Sequence, residues 1–95
     1  MVIVAKHVIK EGRVDDYIAL AEKLVAETRK EEGCIAYALY QDSKDENVLT
    51  FIEEWESRDA IKAHFASTHF QKMVPLMKEC MEGDVDLRYY NRVAE

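Results

Sequence analysis

His64 and His69 are the two side chains whose types and spacing point most directly to acid–base chemistry. They lie five residues apart in the segment AHFASTHFQ. On one unbroken helix, five residues turn the direction by about 500°, which would leave the two imidazoles roughly 140° apart. We predict instead that the helix breaks at Ser67 and Thr68, so that the imidazoles meet where two helices join.

The two helix ends would separate the pKa values of these histidines. The last turn of the helix before the break favours the charged form of His64, whereas the first turn of the helix after the break favours neutral His69. Separated pKa values are the usual arrangement for dividing acid work from base work. The alternative interpretation is that His64 packs among aromatic side chains and His69 only begins a helix.

Glu53 is the second candidate for proton transfer. By the two-residue period of a strand, it shares a face with Leu49, Phe51 and Trp55. A lone carboxyl group in such an apolar stripe should have a raised pKa, which is a common property of groups that transfer protons. The alternative is a structural glutamate paired with His7 or with an arginine of the neighbouring strand.

His7 is the third candidate, on the face of the first predicted strand that also carries Ile3, Ala5 and Ile9. We expect this strand to lie next to the strand of Glu53, which would allow the two side chains to approach each other. The four polar candidates show no HxH, HExxH or comparable ligand spacing. We therefore predict no metal site.

Hydrophobic periodicity predicts four strands and three helical segments. The strands are expected at residues 2–10, 34–41, 47–56 and 84–93, and the helices at 14–30, 58–66 and 68–82. Thr68 and Gln71 are spaced as in a capping box, and Pro75 should kink the last helix or restart it. The order β-α-β-β-α-β, with the second helix divided in two, is typical of an α+β, ferredoxin-like antiparallel sheet with helices on one face.

Size and charge narrow the possible partners. With 95 residues the chain is expected to form one domain, 1–95, and its net charge of −6 argues against nucleic acid or an anionic membrane surface. The apolar start is too short for a signal peptide or a membrane span. Cys34 and Cys80 form no CxxC pair, so we expect two buried free thiols and a cytoplasmic location.

Both faces of the predicted sheet are largely apolar. In the second strand, one face is expected to carry Ile35, Tyr37 and Leu39, and the other Cys34, Ala36, Ala38 and Tyr40. The chain's own helices can cover only one of these faces. We therefore predict a homodimer packed sheet against sheet.

Three passages resemble the antibiotic biosynthesis monooxygenase (ABM) superfamily. They are the entry into the first helix, HVIKEGRVDDY, the segment EEGCIAY, and the segment IEEWESRDAIKAHFASTHF. The resemblance implies a dimeric α/β barrel with a pocket between sheet and helices. It further implies similarity to quinol monooxygenases, which act without a cofactor on an aromatic small molecule and dioxygen.

This resemblance gives the candidate residues roles. An ionised phenol can reduce dioxygen without flavin or metal if the protein supplies a base, an apolar pocket and donors that hold the anion. His64 and His69 would carry acid–base and anion-stabilising roles, with Glu53 and His7 in support. The aromatic walls and substrate contacts would come from Phe51, Trp55, Phe65, Phe70 and Tyr37.

Other members of the superfamily provide alternatives. Haem-degrading members carry a haem-ligating histidine where this chain has Val74, which argues against haem. An isomerase of a phosphorylated dicarbonyl signalling molecule shares the two-histidine segment and the strand glutamate, but it needs a phosphate site. The cations available for that site would be Lys6, Lys10, Arg13 and Arg88. A small-molecule-binding dimer without catalysis is the third hypothesis.

Overall fold

The structure, a computed structural model, describes residues 1–95. Its elements are β1 (Val2–Val8), α1 (Val14–Thr28), β2 (Cys34–Gln41), β3 (Val48–Trp55), α2 (Arg58–Phe65), α3 (Thr68–Lys78) and β4 (Asp86–Tyr90). The four strands form one antiparallel sheet in the order β2-β3-β1-β4. The predicted ferredoxin-like α+β fold is therefore confirmed. No helix is both long and apolar enough to cross a membrane.

The core lies between one face of the sheet and the helices. The alternation predicted for β1 and β3 holds, since Ile3, Leu49 and Trp55 are each 1% exposed on this inner face. Tyr17 and Leu24 of α1 pack against them and are equally inaccessible. Burying each of these large side chains contributes roughly 1.5–3 kcal/mol, so this face holds the helices to the sheet.

A β-bulge changes the expected faces of β2. Cys34 pairs with Trp55 and Tyr37 pairs with Glu53, with the register shifting between Cys34 and Ala36. The extra residue moves Cys34 onto the inner face and leaves Ile35 55% exposed, because a bulge places two residues opposite one. The prediction that Ile35 shares a face with Tyr37 was wrong.

Several element ends differ from the prediction. The strand β1 ends at Val8, two residues early, and Ile9 instead forms an isolated bridge to Met81. The helix α1 ends at Thr28, and β4 is confined to Asp86–Tyr90. The helix α3 runs through Pro75 without restarting and ends at Lys78.

Both cysteines are free thiols, as expected, but their burial differs. Cys80 is fully buried after α3, whereas Cys34 is only partly buried at the start of β2. The expectation of two buried thiols therefore holds for Cys80 alone. Cys34 is the first residue of β2, at the end of the strand.

Candidate active site

A cavity of about 210 Å³ lies between the inner face of the sheet and the helices. Twelve of its 15 lining residues are hydrophobic, and the three exceptions are His7, Glu53 and Lys78. An apolar cavity of about 150 Å³ is enough to bind benzene, so this one can accept a molecule of one or two aromatic rings. The cavity combines an apolar wall with few polar groups, as ligand sites usually do.

Six of the nine candidate site residues line this cavity, and three do not. The six are His7, Tyr37, Phe51, Glu53, Phe65 and Phe70. The other three, Trp55, His64 and His69, lie outside the lining. Each histidine is followed in sequence by a phenylalanine that belongs to the cavity wall, so Phe65 and Phe70 stand where the histidine segment meets the cavity.

Glu53 is the acidic side chain of the cavity. It is 6% exposed, and Trp55 Nε1 donates a hydrogen bond of 2.9 Å to its Oε1. Burial raises the pKa of Glu53 to about 7, with a smaller contribution from the charge of Glu31, while the Trp55 hydrogen bond opposes the shift. A carboxyl group with a pKa near 7 can both accept and release a proton at neutral pH.

The predicted helix break is present and brings the two histidines together. The helix α2 ends at Phe65 and α3 begins at Thr68. His64 Nδ1 and His69 Nε2 each lie 2.7 Å from the same atom, Oε2 of Glu31, and the two ring centroids are 6.2 Å apart. Two imidazoles from separate helices therefore share one carboxyl oxygen.

The break is stabilised by Ser67 and not, as predicted, by Thr68. Ser67 is the N-cap of α3, where its Oγ accepts from the backbone N–H of Phe70 and donates to the carbonyl of His64. Thr68 is the first helical residue. Gln71 forms no capping box, since its side chain donates to the carbonyl of Phe65. The Ser67 hydroxyl thus makes hydrogen bonds at both the end of α2 and the start of α3.

Glu31 was not among the predicted site residues. It lies in the connection between α1 and β2, and Gly33 fixes the course of that connection. Gly33 has φ +86°, and a Cβ there would lie 2.6 Å from Cβ of Ala60 in α2. Its carbonyl also accepts from the backbone N–H of Glu56. Only glycine allows this close approach, which holds the connection against α2 near both histidines.

His64 is enclosed by aromatic rings. Its ring centroid lies 4.7 Å from that of Trp55, 5.0 Å from Phe70, 5.4 Å from Tyr37 and 5.7 Å from Phe65. The side chain is 1% exposed, and its Nε2 has no hydrogen-bond partner. His64 therefore packs among aromatic side chains, as the alternative interpretation had it, and it also contacts a polar partner, Glu31.

Burial decides the protonation of His64. It lowers the pKa of this imidazole, and the nearby Glu31 only partly opposes that effect. The expectation that the helix end favours the charged form was therefore wrong, because removal from water outweighs the helix dipole. Since Glu31 accepts from Nδ1, neutral His64 keeps an unprotonated and unpartnered Nε2.

His7 lies at a different part of the cavity from Glu53. In the β1–β3 pairing, His7 is opposite Leu49, whereas Glu53 is opposite Ile3. Four residues of strand separate the two positions, roughly 13 Å, so they do not form the pair that was considered. Instead, His7 Nδ1 lies 2.7 Å from the hydroxyl of Tyr17, and burial lowers the pKa of His7 to about 4.

Glu31, His64 and His69 also form a possible set of metal ligands. One atom from each lies within 4.8 Å of the others, and two imidazoles with a carboxylate can bind a divalent transition metal. Both nitrogen–oxygen distances are, however, those of direct hydrogen bonds. His64 Nε2 also lacks the outer hydrogen bond that a metal-bound imidazole usually makes. We interpret the cluster as a shared hydrogen-bond site.

Comparisons with known proteins agree with this fold. Residues 1–76 match the model of the family described as antibiotic biosynthesis monooxygenase. A solved structure described as an antibiotic biosynthesis monooxygenase is 36% identical, with a TM-score of 0.93 over 99% of this chain and 100% of that chain. The chain therefore belongs to the antibiotic biosynthesis monooxygenase family.

Two curated relatives are similar over most of the chain. The Bacillus subtilis (strain 168) protein named "Putative monooxygenase YcnE" is 30% identical over 83% of this chain and 83% of its own length. An uncharacterised Synechocystis protein, sll1783, is 28% identical over 99% of this chain, and the match spans 64% of that relative's length.

Proposed function

We propose that this protein is a cofactor-independent monooxygenase that oxidises a quinol or polyphenol-like aromatic with dioxygen. The main support is the position of Glu53, whose carboxyl group, with a pKa of about 7, lines an otherwise largely apolar cavity. The side chains of Tyr37, Phe51, Phe65 and Phe70 provide flat apolar walls for an aromatic ring.

The proposed reaction begins with proton transfer. Glu53 accepts the proton of a phenolic hydroxyl, and the resulting anion is electron-rich enough to give an electron to dioxygen. The two radicals combine on a ring carbon, and loss of water completes the reaction. For a 1,4-naphthohydroquinone, C10H8O2 and O2 become a hydroxynaphthoquinone, C10H6O3, and H2O, so one oxygen atom enters the product.

His64 and His69 are proposed to take part in acid–base catalysis, although neither side chain lines the cavity directly. The imidazole of His64 lies against Phe65, Phe70 and Tyr37, all of which line the cavity. For the free Nε2 of His64 to reach a ligand in the cavity, one of these aromatic side chains would have to move. Glu31 would hold the imidazole in the tautomer that leaves Nε2 unprotonated.

The composition of the cavity favours an aromatic substrate over the phosphorylated dicarbonyl of the alternative hypothesis. None of the four cations considered for a phosphate site lines the cavity, and Lys78 is the single cation in its lining. Arg13 contacts Asp16, and Arg88 contacts Asp86. A single lysine would leave part of a phosphate's charge uncompensated beside so much apolar surface, which is costly.

The functional unit is proposed to be a homodimer packed through the outer face of the sheet. On that face Ile52 lies between Val4 and Ala38 in the strand pairings and is 43% exposed. Tyr40 and Tyr90 are also about half exposed. Contiguous apolar surface of this kind is typical of an interface between proteins. The cytoplasmic location stays a prediction.

Oxygen uptake with 1,4-naphthohydroquinone tests the proposed activity. We expect uptake well above the spontaneous rate, with one atom of ¹⁸O₂ found in the product by mass spectrometry. Glu53→Gln and His64→Ala should each slow turnover by about 100-fold, the scale of general acid–base catalysis. Lys62→Ala, an exposed change on the same helix as His64, should leave it unchanged.

Other outcomes would support the alternatives. Uptake no faster than the spontaneous background, unaffected by the His64 variant, contradicts the oxygenase proposal. Proton exchange on a phosphorylated dicarbonyl without oxygen uptake would favour the isomerase, and tight aromatic binding without turnover would favour a binding protein.

A further inference from the structure

The cavity contains a polar side chain, His7, that is remote from Glu53 and takes no part in the proposed proton transfer. The imidazole of His7 lines the cavity, and Tyr17, beneath it in α1, is fully buried. Their contact of 2.7 Å, between the Tyr17 hydroxyl and His7 Nδ1, is the one hydrogen bond that either side chain makes. The direction of this hydrogen bond determines which nitrogen of His7 carries the proton.

The burial of both groups answers this question. Burial raises the pKa of the Tyr17 hydroxyl and lowers that of His7 to about 4, so both are neutral at physiological pH. If the Tyr17 hydroxyl donated nothing, a buried O–H would be left unsatisfied at a cost in stability. Tyr17 therefore donates to His7 Nδ1, and the single proton of the neutral imidazole resides on Nε2.

The two polar groups stand at separate positions along the sheet. His7 and Glu53 are about four residues apart along paired strands, roughly 13 Å. This spacing separates the backbone positions, and both side chains reach into the same cavity, so a ligand of one or two fused rings can lie between the two polar groups. Phe51 packs edge-on against His7 and belongs to the wall between the two groups.

We propose that His7, held by Tyr17 with its proton on Nε2, donates a hydrogen bond to the ligand and so selects aromatics with oxygen at two opposite ends. One oxygen is the hydroxyl that meets Glu53, and the other accepts from His7. Tyr17 acts as a positioning residue. The proposal deepens the proposed function, on which the identity of the first oxygen rests, but it concerns binding and needs no turnover.

Anaerobic binding of two naphthols of matched size tests the selection. The ligand 4-methoxy-1-naphthol carries an acceptor oxygen opposite its hydroxyl, and 4-ethyl-1-naphthol does not. By isothermal titration calorimetry we expect the wild-type protein to prefer the methoxy compound about tenfold, the scale of one hydrogen bond. The preference should vanish in His7→Phe and return in part in His7→Gln, which restores a donor.

Nitrogen-15 NMR of His7 tests the tautomer independently of any ligand. We expect a protonated Nε2 and an unprotonated Nδ1 between pH 6 and 8, and a mixture of tautomers in Tyr17→Phe. A protonated Nδ1 in the wild-type protein, equal affinity for the two naphthols, or failure to bind either one would overturn the proposal. Preference for the methoxy compound without oxygen uptake from a quinol would contradict the proposed activity alone.

Discussion

The Oε2 atom of Glu31 lies 2.7 Å from Nδ1 of His64, although 33 positions separate the two residues in the chain. The same oxygen is 2.7 Å from Nε2 of His69. One carboxyl group from the α1–β2 connection therefore joins the end of α2 to the beginning of α3. The break between these helices is stabilised by a tertiary contact as well as by the local cap of Ser67.

Replacing Glu31 should change both the pKa of His64 and the stability of the fold. In Glu31→Gln the negative charge is lost, so we expect the pKa of His64 to fall further, because Glu31 acts to raise it against the effect of burial. In Glu31→Ala both imidazole N–H groups lose their acceptor, which should cost about 1–3 kcal/mol in the free energy of unfolding. NMR titration of the histidine ring protons and denaturant unfolding measure the two effects.

Glu32→Gln is the matched control, because Glu32 is the exposed neighbour of Glu31 in the same connection. It removes the same charge without touching a histidine. An unchanged titration of His64 in Glu31→Gln would contradict the proposed role of this carboxyl group, as would equal stability of Glu31→Ala and the wild-type protein.

Local patterns predicted much of the fold and part of the site. The alternation of β3 placed Glu53 on one face with Leu49, Phe51 and Trp55, although it did not show which face meets the helices. The polar Ser67–Thr68 step between two amphipathic segments predicted the helix break. Both depend on neighbouring residues alone, which a single sequence displays. The cap was assigned one residue too late, because Ser67 and Thr68 have similar capping ability.

Features that depend on distant contacts could not be predicted. Glu31 is one of two adjacent glutamates before Gly33, and only the approach of Gly33 to α2 determines which carboxyl group faces the histidines. The bulge at Cys34 likewise has no local signature. Glu31 lies within the segment EEGCIAY, which contributed to the family resemblance. The resemblance drew attention to this segment but gave Glu31 no role.

The buried carboxyl group of Glu53 should make the protein less stable as the pH rises. Its folded pKa of about 7 lies above the ordinary value of 4.5, so between these values the folded protein holds a proton that the unfolded chain has released. The contribution of Glu53 to the free energy of unfolding therefore falls from pH 4.5 to pH 7 and stays lower above it. Glu53→Gln removes this loss and should be stabilising at pH 8 by up to about 3 kcal/mol.

The comparison is made as a difference between variant and wild type at pH 5 and at pH 8. His7, with its lowered pKa, gives a slope of opposite sign, since burial disfavours its charged form in the folded state. That slope is present in both proteins and cancels in the difference. Glu56→Gln, at an exposed position, should show no gain at either pH. A gain of equal size at pH 5 and pH 8 would mean that titration of Glu53 is not its cause.

Gly33 should tolerate substitution far less well than Gly83. Both have a positive φ, so alanine at either position costs about 1–2 kcal/mol of backbone strain. At Gly33 the new Cβ would also meet Ala60, whereas at Gly83 nothing lies within 4 Å. We expect Gly33→Ala to lose about 1–3 kcal/mol more than Gly83→Ala in urea unfolding, by overpacking. Equal losses would show that the close approach to α2 is unimportant.

A charge at the centre of the outer sheet face should separate the proposed homodimer. Ile52 is 43% exposed there, and in Ile52→Lys two copies would each bury an unpaired ammonium group at the interface, which is costly. We expect a dimer for the wild-type protein and a monomer for this variant in size-exclusion chromatography with light scattering. Leu76 is also 43% exposed but lies on α3, away from the sheet, so Leu76→Lys should remain dimeric. A monomeric wild-type protein, or loss of the dimer in Leu76→Lys instead, would contradict packing through this face.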